Sequence, residues 1–156
     1  MINQRAFTVL QMITAFFMIG LLIVLIILII DPQRQLAETR NARRVGDSEA
    51  LLSALNQYVI DHNEVPLGID GDLRVLGTDS SGCDINCWDK LSIKVKASGC
   101  LDLQSSLIPK YLINIPTDPL LGTNEITYYA VRRTSNNRLA VYSCAAELSR
   151  DLTIIQ

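Results

Sequence analysis

An uncharged apolar run extends over residues 7 to 30, behind a short leader whose only charged side chain is Arg5. A helix of these twenty-four residues would be about 36 Å long, enough to cross a hydrocarbon core about 30 Å thick. Seventeen of the residues are Leu, Ile, Val or Phe, and each such residue favours insertion by about 0.3 to 0.6 kcal/mol at bilayer depth. The sequence therefore predicts a transmembrane helix.

This run does not have the form of a cleaved secretory signal. Its last nineteen residues, 12 to 30, are uncharged and end at Asp31 and Pro32, with no small-residue cleavage pattern of the A-x-A type. We therefore expect an anchor that is retained in the mature protein.

The remaining residues, 31 to 156, suffice for one modest domain with its own core. The net charge is −2 and the pI is about 5.3, so the chain has no broadly basic surface and we predict no nucleic-acid partner. Arg132, Arg133 and Arg138 form a small basic cluster, which we interpret as a solvated hairpin surface rather than as a DNA-binding patch.

Four cysteines, Cys83, Cys87, Cys100 and Cys144, all follow the apolar run. An even number of cysteines in a small head favours two disulfides in an oxidising compartment over a zinc site, whose ligands would need a more regular spacing. Three pairings are open. Our preference is Cys100 with Cys144 and Cys83 with Cys87.

The charges flanking the apolar run point to the opposite orientation. Only Arg5 and the terminal amine precede the run, whereas four arginines follow it, and positive charge normally stays in the cytoplasm. These are Arg34, Arg40, Arg43 and Arg44. Because acidic residues alternate with them, we give the cysteines more weight and expect an extracytoplasmic head on a single-pass anchor.

Helical periodicity continues beyond Pro32 but becomes amphipathic. Apolar residues recur at intervals of three and four among charged ones: Leu36, Val45, Leu51, Leu52, Leu55, Tyr58 and Val59. Proline removes a backbone hydrogen bond, so we expect a kink or brief break within residues 28 to 32. Val65 and Pro66, followed by Gly68, predict that the helix ends near Asn63.

The next segment is less regular. Residues 61 to 89 are acidic and contain four glycines, which indicates loops with a short hairpin around Asp70 and Gly71. Residues 101 to 115 carry the spacing of one or two helical turns.

Two strands are expected at residues 126 to 133 and 138 to 144, joined by a turn, while residues 148 to 156 lack a strong pattern and should be loosely held. The predicted fold class is α+β: a long N-terminal α-helix, with a transmembrane half and an amphipathic half, packs on a small antiparallel β-sheet head.

Few side chains suggest a catalytic or metal site. His62 is the only histidine, and its position favours a role at a helix C-terminus over general-base catalysis. Trp88 is interpreted as a packing residue, and the loop acids as solvated rather than calcium-binding; these acids are Asp70, Asp72, Asp79, Asp84 and Asp89. We predict no enzymatic activity, metal or cofactor.

The order of these parts resembles that of type IV pilins and of pilin-like subunits of type II secretion pseudopili. The resemblance rests on residues 6 to 10 (AFTVL), on Gly20, and on the stretch DPQRQLAETRNARRVGDSEALLSALNQY from Asp31 to Tyr58. Later stretches, LIPKYLINIPTDPLLGT, TYYAVRR and NNRLAV, are similar to the same group. The resemblance is weakest over residues 67 to 98 and after Glu147.

The resemblance implies a processing and assembly pathway. A prepilin peptidase would cut between Ala6 and Phe7, which separates a leader (residues 1 to 6) from a mature chain whose first residue is usually N-methylated. An assembly platform and its ATPase would then move subunits from membrane lipid into a fimbrium-like filament of copies of itself or other pilin-like subunits. Residues 7 to 30, 31 to 64 and 65 to 156 would be the transmembrane half of the helix, its amphipathic half and the head. Phe7, Gln11 and Gly20 would contact neighbouring subunits.

Two residues depart from the family pattern. Ala6 stands where the family usually has glycine, and Gln11 stands where it nearly always has glutamate. Gln11 removes the attraction between a carboxylate and a neighbouring N-terminal amine, but also the cost of a charge at bilayer depth. This favours a minor or specialised filament subunit. The alternative is a membrane-anchored extracytoplasmic binding protein that keeps the pilin architecture without polymerising. Related pseudopilins bind calcium near the turn that corresponds to residues 116 to 122, where Asp118 is the only acid here.

Overall fold

A computed structural model describes residues 8 to 29, 31 to 83, 85, 87 and 99 to 155. Two long helices come first, followed by four short strands and one helical turn: α1 (Val9–Ile29), α2 (Pro32–His62), β1 (Arg74–Val75), α3 (Gln104–Leu107), β2 (Tyr129–Arg133), β3 (Leu139–Ser143) and β4 (Thr153–Ile155). The chain divides into two compact units, one ending at Leu36 and one beginning at Ala37. The α+β class with an N-terminal apolar helix and an antiparallel sheet is confirmed.

A break separates the two long helices, as the sequence predicted. The first ends at Ile29 and the second begins at Pro32. The Asp31 carboxylate accepts hydrogen bonds from the backbone N–H groups of Gln33 (3.1 Å) and Arg34 (3.2 Å). An aspartate cap followed by proline at the first helical position is a strong helix-start signal, because that position needs no backbone donor.

The end of α2 also matches its prediction. Asn63 adopts a left-handed conformation (φ 57°) and its N–H donates to the Val59 carbonyl at 2.8 Å. This closes the helix one residue after His62.

All four strands form one antiparallel sheet in the order β1-β2-β3-β4. The predicted hairpin is present, since β2 and β3 pair from Tyr129 with Ser143 to Arg133 with Leu139. The expectation of a loosely held C-terminus was wrong: Thr153–Ile155 pairs with β3 as an edge strand. Three successive β-branched residues favour a strand, and Ile154 packs on the core.

The core of the head lies between α2 and one face of the sheet. Leu51 and Leu55 of the helix pack with Tyr129, Val131 and Val141, all of them fully buried. Alternate strand residues face the other side and join a second apolar cluster around Leu73, Val75, Ala130, Ala140 and Tyr142.

The short hairpin expected around Asp70 and Gly71 does not form. Asp70 instead accepts the N–H of Asp72 at 3.0 Å, and its carbonyl accepts the N–H of Arg133 at 2.7 Å. The turn therefore leads directly into β1, which pairs with β2.

The two disulfides join Cys83 to Cys100 and Cys87 to Cys144, so the preferred pairing was wrong. Backbone pairing explains the outcome, because Leu101 N–H donates to the Val75 carbonyl at 2.8 Å. This brings Cys100 beside the segment that follows β1. All four sulfurs belong to the second apolar cluster.

Digestion at Asp84 tests this connectivity, because cleavage before that residue separates Cys83 from Cys87. Under non-reducing conditions we expect one linked peptide pair containing Cys83 and Cys100 and another containing Cys87 and Cys144, identified by mass spectrometry. Recovery of Cys83 linked to any other cysteine would contradict the structure.

The two disulfides also stabilise the head. From sequence separations of 17 and 57, chain-entropy arguments give stabilisations of about 3 and about 4 kcal/mol.

Candidate functional site

The most exposed apolar surface of the described chain is α1. Residues Val9–Ile27 have a mean hydropathy of 2.7 and none is buried. Their large apolar side chains are between 47% and 74% exposed, all round the helix. A helix that is apolar on every side needs lipid or other apolar helices around it, and this one is long enough to span a membrane.

The start of α1 is hydrogen-bonded to itself through Gln11. Its Oε1 accepts the backbone N–H of Thr8 at 3.0 Å, while the N–H of Gln11 donates to the Thr8 hydroxyl at 3.4 Å. This is a capping box, in which two helix-end donors are satisfied reciprocally. Gln11 therefore has a structural role within its own helix, which the resemblance in sequence alone did not suggest.

The other residues expected at subunit contacts and processing are placed less fully. Ala6 and Phe7 lie outside the described residues. Gly20 lies in the middle of α1, and a Cβ added there would meet nothing within 4 Å. These roles stay predictions.

A buried cation lies at the centre of the head. The Arg44 side chain is completely buried, and its Nε donates to Asp118 at 2.6 Å while Nη1 donates to Glu147 at 2.7 Å. The same Nη1 also donates to Asn41 Oδ1 at 2.9 Å. One guanidinium thus joins α2 to two segments that are remote in sequence.

Asp118 arrives in this interior on a tight turn. Its Oδ1 accepts backbone N–H groups from Leu120 (2.9 Å) and Leu121 (3.0 Å) as well as Nη2 of Arg44 at 3.2 Å. The Asp118 backbone is held by two hydrogen bonds: its N–H donates to the Thr127 carbonyl at 2.9 Å, and its carbonyl accepts the N–H of Gly122 at 3.1 Å. A Cβ at Gly122 would lie 2.3 Å from the Asp118 nitrogen, so only glycine fits there.

Glu147 completes the cluster from the segment after β3. It accepts two hydrogen bonds from Arg40, at 2.6 and 2.7 Å. Its backbone carbonyl and N–H are bound by the side-chain amide of Asn41 at 2.9 and 3.0 Å. Arg44 follows Arg40 by four residues and Asn41 by three, so both lie beside it on one face of α2. We call the five residues Arg40, Asn41, Arg44, Asp118 and Glu147 the arginine cluster.

The ionisation of the cluster follows from these contacts. Hydrogen bonds from Arg40 and then Arg44 lower the pKa of Glu147 to about 2. Burial disfavours a charge on Asp118, but hydrogen bonds from Arg44 and from two backbone N–H groups outweigh it and lower its pKa. Burial likewise opposes the charge on Arg44, yet its two carboxylate partners raise the net pKa. The cluster is therefore fully ionised at neutral pH.

The Asp118 carboxylate thus accepts hydrogen bonds from one guanidinium and two backbone amides. These hydrogen bonds occupy the oxygens that a calcium ion would need. Across the described residues, no three His, Cys, Asp or Glu side chains are grouped closely enough to hold a metal. His62 stacks on Tyr58 with ring centroids 4.1 Å apart, and its Nδ1 lies 3.0 Å from the Tyr58 carbonyl. Asp84, Trp88 and Asp89 lie outside the described residues.

The predicted basic cluster lies on the β2–β3 hairpin. Arg132 and Arg133 end β2, and Arg138 precedes β3. Arg132 Nε donates to the Tyr142 hydroxyl at 2.8 Å, on the sheet face away from α2. The structure therefore brings the three arginines together but distributes them over both faces.

Sequence reasoning missed the arginine cluster. The available signal was that Asn41, Arg44 and Ser48 occupy positions on the same helical stripe as Leu51, Leu52 and Leu55. Polar residues within an apolar stripe indicate buried partners. The identity of those partners, Asp118 and Glu147, depends on tertiary structure and has no local signal.

Comparisons of this chain with protein-family models, with curated proteins and with solved structures found no match.

We expect Arg44→Met to destabilise the head by about 3 to 5 kcal/mol, because it leaves buried Asp118 and half-buried Glu147 without their shared cation. Thermal unfolding of the full chain in a non-ionic detergent, followed by near-ultraviolet circular dichroism, measures this. The matched control is Arg43→Met, whose side chain is 64% exposed and which should change stability by less than about 0.5 kcal/mol. Equal effects of the two substitutions would contradict a special role for Arg44.

The cluster also predicts acid sensitivity. Glu147 has a lower pKa in the folded head, about 2, than its ordinary value of 4.5. Its ionised form therefore stabilises the head fully above about pH 4.5, and this stabilisation is lost as the pH falls toward about 2. Unfolding temperatures measured between pH 7 and pH 2.5 should fall steeply for the natural chain and less steeply for Glu147→Gln. The exposed control Glu49→Gln should keep the steep profile.

Proposed function

We propose that this chain is a structural subunit of a type IV pilus or pseudopilus-like filament, held in a membrane by α1 before assembly. The observation that carries the proposal is the fully exposed apolar surface of α1. Lipid and a bundle of Leu- and Ile-rich helices are similarly apolar surroundings. Such a helix can therefore serve first as an anchor and later as the core of a fibre.

The head supports a role as an outer, load-resisting surface. Apolar packing holds α2 on the sheet, the arginine cluster joins α2 to the Asp118 turn and to the segment after β3, and two disulfides restrain the loops. Disulfides also favour an oxidising, extracytoplasmic compartment. The charged side chains of the arginine cluster all pair with one another inside the head, which fits a structural rather than a catalytic role.

A second candidate is a membrane-anchored extracytoplasmic binding protein that does not polymerise. The specific observation in its favour is Gln11, whose side-chain oxygen is already bound by Thr8 of the same helix. Gln11 also cannot supply the negative charge that would attract the amine of an adjacent subunit.

Processing distinguishes a filament subunit from a simple anchor. We expect intact-mass and N-terminal peptide analysis of the membrane-extracted chain to show a mature protein that starts at a methylated Phe7. Substituting Ala6→Leu should leave the leader attached, while Ala15→Leu, inside the span, should not affect processing. An unprocessed Met1 in a host with an active prepilin peptidase would contradict the filament proposal.

Assembly is the second readout. Filaments sheared from the cell surface should contain the processed chain. Gln11→Glu should increase the amount recovered if the carboxylate strengthens subunit docking. A correctly processed chain that is found only in membranes, in both forms, would favour the non-polymerising alternative.

A further inference from the structure

The unpaired cations of the described head are concentrated on the β2–β3 hairpin. Outside the hairpin, each arginine of the described head has a carboxylate partner: Arg40 and Arg44 with Glu147, Arg43 with Asp47, Arg74 with Asp70, and Arg150 with Glu38. Lys110 is paired with Asp61. Within residues 37 to 83 and 99 to 155, Arg132, Arg133 and Arg138 form no ion pair. The head thus neutralises its arginines except at one place.

Two grooves beside the hairpin make these guanidinium groups accessible. On the α2 side, a groove of about 480 Å³ is lined by Asn63, Glu64, Arg133, Asn137 and Arg138 together with apolar side chains. The Nε of Arg133 is buried and has no hydrogen-bond partner among the described residues. A second groove, of about 540 Å³, is lined by Gly71, Arg132, Arg133, Thr134 and Ser135. A guanidinium offers five donors in a planar fork that fits a carboxylate.

Carboxylates without a cationic partner in the described chain occur beyond the opposite end of β2. Asp79 N–H donates to the Glu125 carbonyl at 3.1 Å, so these two acidic residues are neighbours. The Asp79 carboxylate is held in place by the Ser81 N–H and hydroxyl, at 2.7 and 2.6 Å. Glu125 is exposed and lies four residues before Tyr129, where β2 begins.

We propose that the hairpin arginines bind Asp79 and Glu125 of a second copy of this chain, in a head-to-tail contact between heads. The inference rests on the filament function proposed above and names the head surfaces that would meet. The basic and acidic ends are separated by the length of β2, so they pair between copies, and a contact between unlike surfaces propagates instead of closing. Glu64 lines the same groove as Arg133 and Arg138, and this mixed charge suits a few individual side chains of a protein better than a continuous polyanion such as nucleic acid.

Charge exchange tests the contact. Arg138→Glu and Glu125→Arg, both at exposed positions, should each reduce the filaments recovered by shearing at least tenfold, because each places like charges in contact. The chain that carries both substitutions should return to within twofold of the natural amount. The control Arg150→Glu, at an exposed position away from the hairpin, should leave recovery unchanged. Unchanged recovery with both single variants, or loss without restoration in the double variant while all unfold at the natural temperature, would overturn the contact.

A photo-crosslinking side chain at Asn137 identifies the occupant independently of filament yield. In intact membranes or filaments, we expect a dimer whose crosslinked peptide contains residue 79 or 125, and none from the exposed control position Ser53. An adduct with nucleic acid, with another protein or with a different part of this chain would overturn the proposal. If sheared filaments form normally but this dimer is absent, the head contact is wrong and the filament function stands. If no filament forms from correctly processed chain, the filament function is wrong instead.

Discussion

Arg44 places a full positive charge in the interior of the head, where a guanidinium without partners would be strongly unfavourable. The turn around Asp118 and the segment at Glu147 each supply a carboxylate that pairs with Arg44. Both segments must therefore lie against α2 for the buried charge of Arg44 to be compensated. The structure of the head therefore depends on three segments meeting at Arg44: the buried face of α2, the turn that contains Asp118 and Gly122, and the segment after β3. The net stability that the buried ions add is small, because their attraction mainly offsets a substantial desolvation cost.

The two compact units differ in whether their apolar side chains are exposed or buried. The first unit exposes apolar side chains along α1, whereas the head buries apolar residues such as Leu51, Tyr129 and Val131 between α2 and the sheet. The boundary between the units lies after Leu36, within the first turns of α2, and the start of that helix is capped by the Asp31 carboxylate. The change from apolar to polar composition at Asp31 thus coincides with the capped start of α2.

Elements with a local cause were predictable from the sequence. The apolar length of α1, proline at the start of α2, asparagine at its end, and alternating apolar residues in β2 and β3 all act within a few residues. Long-range choices were not. The disulfide pairing depended on the segment at Leu101 lying beside Val75, and β4 needed the edge of β3 as a template. Of the candidate sites, the grouping of hairpin arginines was visible in advance, but not their distribution over two faces or the partners of Arg44.

The reciprocal hydrogen bonds between Thr8 and Gln11 reduce the number of unsatisfied polar groups that α1 presents to apolar surroundings. A free side-chain amide and an uncapped helix end would each seek water and resist dehydration. The two hydrogen bonds use one side-chain acceptor of each residue, which leaves the Gln11 amide hydrogens and the Thr8 hydroxyl hydrogen as side-chain donors without a partner among the described residues. The Thr8–Gln11 pair is itself uncharged, so its hydrogen bonds add no charge to the start of α1 and do not change with pH.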